Sequence, residues 1–173
     1  GMGAIAPVEL DAAALETGRI AAAALPIDLA LPYLQKGWPI LLDLSKTDFV
    51  YPASCVVSSR GFVKENPEVV ERFLKAYVEA IHLMKRDRAS GERAYAKWLR
   101  QNDLTVARRA VEAYTNLFKP IPTVSDRGIK AVLEELALST PVPRELIDRP
   151  EYFRDNGPLD KLIRAGWIEQ ISK

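Results

Sequence analysis

The stretch from Asn66 to Arg88 constrains this chain more than any other. Asn66, Pro67 and Glu68 supply an N-cap, a first-turn proline and an acid at the positive end of a helix dipole. Val69, Val70, Phe73, Leu74, Tyr77, Val78, Ile81 and Met84 follow at three-and-four spacing. That spacing predicts a long amphipathic helix with a broad apolar stripe. Lys85, Arg86 and Arg88 stand at its end, where the dipole favours cations.

From there on the pattern stays helical. Shorter helices are predicted over 91–101 and 104–118, before Pro120-Ile121-Pro122 breaks the run. Ser125 caps a further predicted helix to Leu138, with Ile129, Val132, Leu133 and Leu136 as its core face. Residues 140–156 hold three prolines and read as a packed loop. Pro158 opens a last helix that Gly166 ends.

The first sixty residues read differently. Helices are predicted from Pro7 to Thr17 and from Ile27 to Lys36, each followed by a glycine, Gly18 or Gly37. Arg19–Leu25 and Pro39–Leu44 are continuous apolar runs, as strands buried on both faces would be, and Val50–Ser59 reads as extended. Strand, helix and strand in that order imply a right-handed βαβ unit. The expected fold class is therefore α/β. A small parallel-sheet βαβ lobe over 1–60 is followed by a mostly helical C-terminal region over 61–173, packed on it as one compact unit.

Composition excludes much chemistry. With 24 basic against 23 acidic residues, the net charge of +1 gives no reason to expect nucleic acid or an anionic membrane as partner. A single cysteine, Cys55, reads as a small buried hydrophobe on a strand. A single histidine, His82, reads as half-buried and structural, and excludes a two-histidine metal site. There is no glycine-rich phosphate loop and no nucleophile elbow, so no catalytic residue, metal or cofactor is assigned and the chain is read as a non-enzyme. Asp43 with Asp48, and Glu134 with Glu135, read as solvated surface acids. The start, Gly1-Met2-Gly3, reads as one residue left by tag removal followed by a native or chosen Met, and neither a signal peptide nor an apolar run of membrane length is found.

Several segments in order carry a resemblance. Leu15-Glu16-Thr17-Gly18-Arg19-Ile20-Ala21-Ala22-Ala23 is followed by Leu25-Pro26, then Leu42-Asp43-Leu44 and Tyr51-Pro52. Phe62 to Ala76, with Glu65-Asn66-Pro67-Glu68 inside it, comes next. Gly128-Ile129-Lys130-Ala131-Val132-Leu133 and Pro150-Glu151-Tyr152-Phe153-Arg154-Asp155-Asn156 complete the series. Together they resemble the C-terminal half of the nitrate/sulfonate/taurine-type solute-binding proteins of ABC importers. That group includes a domain similar to thiamin-pyrimidine synthases. The family often carries an acid where this chain has Ala21.

The resemblance implies part of a type II periplasmic-binding fold, a small-molecule solute as ligand, an ABC permease as partner, and a periplasmic or extracellular location. Ligands in open α/β sheets sit at the carboxyl ends of strands, beside helix N-termini. That places candidate ligand contacts at Leu25, Pro26, Ile27 and Asp28, with Tyr51, Pro52 and Ser54 as a second group. A competing reading is a shortened descendant that acts as an oligomerising or interaction module, since half of a two-lobed fold exposes apolar surface and favours a homo-oligomer. A third is an enzyme like the thiamin-pyrimidine synthases, which use a histidine and pyridoxal phosphate; His82 falls mid-helix and speaks against it.

Overall fold

A computed structural model describes residues 8–48, 50–52 and 55–172, with the backbone alone for 8–10. Ten α-helices run along it: α1 Val8–Glu16, α2 Ile27–Gln35, α3 Arg60–Glu65, α4 Pro67–Arg86, α5 Arg88–Trp98, α6 Leu104–Leu117, α7 Asp126–Leu136, α8 Arg144–Ile147, α9 Gly157–Arg164 and α10 Trp167–Ile171. Two 3-10 turns, Leu44–Lys46 and Pro150–Phe153, join them.

No strand or sheet occurs among the described residues, so the expected α/β class and its parallel βαβ lobe are replaced by an all-helical architecture. The apolar runs that suggested strands are irregular and largely exposed. Ala21, Ala22 and Ala24 all face solvent, and a run of alanines offers little branched surface for a pleated sheet to bury. Leu41 and Leu42 are 78% and 69% exposed, and a 3-10 turn bends the chain straight after them. A continuous apolar run lacks the period that separates strand from coil, and without paired neighbours its backbone groups gain nothing from extension.

The chain divides into two compact units. The first comprises residues 1–43 and 86–117 and contains α1, α2, α5 and α6. Asp87 caps α5 by accepting from the Ser90 amide at 3.1 Å. Arg88 faces Glu112 at 4.0 Å and Arg108 faces Glu92 at 3.7 Å, a register that runs α5 and α6 antiparallel. α2 lies on α6, burying Leu31 against Val106 and Ala110, with Tyr95 and Tyr114 packed at the edge. α1 is tied to α2 by Tyr33, whose hydroxyl donates to the Ala12 carbonyl, and by Lys36 on Glu16 at 2.6 Å. Gly18 and Gly37 take left-handed φ of 71° and 84°, ending α1 and α2 as their sequence positions predict. Pro32 lies inside α2 rather than in its first turn.

The second unit comprises residues 44–85 and 118–173. Its core joins Val78 of α4 to Leu159 of α9 and Ile168 of α10, with Ile121, Trp167 and Ile171 around them. The predicted stripe on α4 is only partly covered. Val78 and Ile81 are buried, whereas Val69 and Phe73 are 41% and 50% exposed. Ser125 caps α7 through the Gly128 amide at 3.1 Å. The turn before α9 is fastened to α7 by Arg154, whose guanidinium holds the Asp126 carboxylate with both oxygens, one at 2.9 Å. Asn156 adds a reciprocal pair with the Val124 backbone, 3.1 Å and 2.9 Å.

Candidate functional site

The candidate residues Leu25, Pro26, Ile27 and Asp28 belong to the first unit, at the start of α2. Pro26 occupies the cap position and makes no side-chain cap bond; its carbonyl accepts from the Ala30 amide at 3.0 Å. Leu25 and Ile27 are half-buried and Pro26 is exposed. Asp28 is the informative member. Its carboxylate accepts from the Tyr114 hydroxyl at 2.7 Å and from the Tyr95 hydroxyl at 3.3 Å. Burial first, then the nearby Asp28 charge, pushes the Tyr95 phenol up to about 12. Burial, then the hydrogen bond to Asp28, pushes Tyr114 up as well. Asp28 thus joins α2 to the α5–α6 pair, with two donors on a half-buried carboxylate.

Tyr51 and Pro52 belong to the second unit, where Asp48, Val50, Tyr51 and Pro52 meet residues of α7. The Tyr51 hydroxyl donates to Glu135, which raises its pKa by hydrogen bonding first and burial second. Pro52 rests on Gly128: a β-carbon at that position would come within 3.2 Å of Pro52 Cδ. Asp48 accepts from Arg127 through its backbone and side chain, at 3.0 Å and 3.3 Å. A shallow depression of about 430 Å³ is lined by Asp48, Val50, Arg127, Lys130, Ala131 and Glu134. Ser54, the remaining candidate, lies outside the described residues. The candidates therefore fall in two groups, one in each unit.

A second recess, about 280 Å³, was not indicated by the sequence motifs. Val63, Pro67, Val70 and Pro158 form its apolar lining, and Glu71, Lys161 and Arg164 its polar rim. Glu71 is held by Lys161 at 2.8 Å and Lys75 at 2.9 Å, and these bonds bring its pKa down to about 2. The Glu71–Lys75 pair at four-residue spacing was visible in the sequence. Lys161, 90 residues further on, had no local signal.

His82 is half-buried and its Nε2 lies 3.0 Å from the Pro120 carbonyl, with Ser172 Oγ 3.4 Å from Nδ1. Cys55 is exposed and outside any strand, with Sγ 3.7 Å from the Pro52 carbonyl, so its expected place in a buried strand is corrected. Among the described residues no three histidine, cysteine or acidic side chains gather as a metal site, and no helix is long and apolar enough to cross a membrane. Comparisons with protein-family models, with curated proteins and with solved structures gave no match to this chain.

Proposed function

We propose that this chain is the solute-binding component of an ABC importer, or half of one, for a small solute such as nitrate, a sulfonate, taurine or a thiamin-pyrimidine precursor. The observation that carries the reading is the ordered series of segments from Leu15 to Asn156. Two parts of that series are helical: Pro67-Glu68 begins a 20-residue helix, and Gly128 to Leu133 lie within α7. The loss of the sheet removes strand ends as the ligand's seat. Two separate candidate seats remain, one in each unit: the start of α2 around Pro26 and Asp28 in the first, and Tyr51 and Pro52 against α7 in the second. The ABC permease is the partner this reading requires, and the periplasm or cell exterior its location.

A thermal-shift screen against nitrate, sulfonates, taurine, bicarbonate and thiamin precursors tests it. A ligand at a hundredfold excess over Kd adds about 2.7 kcal/mol to the native state, and a silent panel with a cooperative melt counts against the reading.

One observation favours a second reading, an interaction module without transport. Ile40, Leu41, Leu42 and Leu44 are between 49% and 78% exposed, a run of apolar side chains that self-association would cover. Light scattering separates the two: a monomer at micromolar concentration excludes the oligomerising module.

A further inference from the structure

The junction between α5 and α6 concentrates charge and apolar surface that the rest of the chain does not explain. Residues 93–109 carry five basic side chains against one acid, in a chain whose overall charge is +1. Because Arg88 pairs with Glu112 and Arg108 with Glu92, the two helices are antiparallel and residues 99–103 form the tip of a hairpin. Arg100 turns the chain there with a left-handed φ of 52°.

Three large apolar side chains crown that tip. Trp98 is 76% exposed, Leu99 59% and Leu104 64%. The Lys97 ammonium sits 5.2 Å from the Trp98 ring centroid. The one acid, Asp103, is occupied as the cap of α6, accepting from the Thr105 amide at 2.7 Å and the Val106 amide at 3.4 Å. Arg108 is paired with Glu92, whereas Lys97, Arg100 and Arg109 make no ion pair among the described residues.

We propose that this hairpin tip docks on an anionic lipid surface, with Trp98, Leu99 and Leu104 inserted at the headgroup boundary and Lys97, Arg100 and Arg109 against lipid phosphates. The charge is complementary to anionic headgroups, and the long cationic stems reach outward while apolar neighbours go in. Tryptophan suits that boundary because its ring is apolar and its N–H is polar. An exposed turn between two helices reaches a flat surface without burying either helix flank, whereas a protein partner would have to supply a pocket for three bulky side chains. The inference is independent of the transport reading.

The test is co-sedimentation of the full chain with vesicles of equal parts phosphatidylglycerol and phosphatidylcholine, and with phosphatidylcholine alone. The expected result is salt-sensitive binding to the first and none to the second. Removing two cations in K97Q/R100Q weakens it roughly 25-fold, at about fivefold per charge near the surface. Phosphatidylglycerol with brominated acyl chains quenches the tryptophan emission of the bound protein. In W98F binding persists and that quenching falls. W98S/L99S loses binding with an unchanged helical circular dichroism spectrum. Equal binding to both vesicles, or binding without quenching, overturns the proposal. No vesicle binding at all also overturns it and leaves the tip to a protein partner.

Discussion

Replacing Tyr114 by phenylalanine tests the polar joint that fastens α2 to the α5–α6 pair. The Tyr114 hydroxyl stands 2.7 Å from one Asp28 oxygen, and Tyr95 stands 3.3 Å from the other. A hydrogen bond to a charged acceptor contributes about 1.5–3 kcal/mol net. Tyr95 still serves the carboxylate in Y114F, so the lower figure applies, about 1.5 kcal/mol. For a chain of this size that corresponds to a fall in Tm of roughly 3–6 °C. Y95F, losing the longer bond, costs about 0.5–1 kcal/mol. The double variant leaves a half-buried carboxylate without either donor and costs about 3 kcal/mol or more, beyond the sum of the singles.

Urea melts followed by circular dichroism read all four proteins. The joint also carries a pH signature. Both phenols have folded pKa values above the ordinary 10, so their contribution is complete below pH 10 and is lost as pH rises through the folded values, about 12 for Tyr95. Wild type therefore loses more stability than Y95F/Y114F over that window. A Y114F melt within about 0.5 kcal/mol of wild type, or additive singles, would refute the joint.

Three further predictions concern the second unit. Glu71 has its pKa lowered to about 2 by Lys161 and Lys75, so its contribution is present above the ordinary 4.5 and is lost as pH falls toward 2; E71Q abolishes that part of the acid dependence, which acid titration of the melt measures. Gly128→Val drives a branched side chain into Pro52, whose Cδ already lies 3.2 Å from the β-carbon position; about 1–3 kcal/mol of destabilisation is expected, read in a denaturant melt. Ser125→Ala removes the cap on the Gly128 amide and costs about 1 kcal/mol in a denaturant melt.

Much of the helical half was legible because its signals are local. Pro67, Ser125 and Gly166 each act within a few residues, and α4, α7 and α9 begin or end where those residues stand; Asn66, expected to cap α4, instead closes α3, its side-chain amide donating to the Phe62 carbonyl. α3, α8 and α10, of 6, 4 and 5 residues, were not foreseen, since such short helices depend on packing more than on propensity. The strands failed for a different reason. Apolar runs such as Pro39–Leu44 have no period, and only a paired neighbour makes a strand of them. Asp28 was legible as a first-turn acid, but its partners lie 67 and 86 residues away and nothing local couples them. Tyr51 and Pro52 are legible only as candidate ligand contacts; their engagement with Glu135 and Gly128 is a tertiary fact.

Native mass spectrometry of the chain, incubated with an equimolar mixture of nitrate, taurine, an alkylsulfonate and a thiamin-pyrimidine precursor, tests the transport reading most directly. It reports ligand mass and subunit number in one spectrum. The account predicts one solute retained at one copy per chain, and a reduced adduct in one of the two variants Asp28→Ala and Tyr51→Ala, which tells the unit that holds it. A ligand-free spectrum across the mixture, with the chain present as a dimer or larger, would contradict it and leave the interaction module as the function.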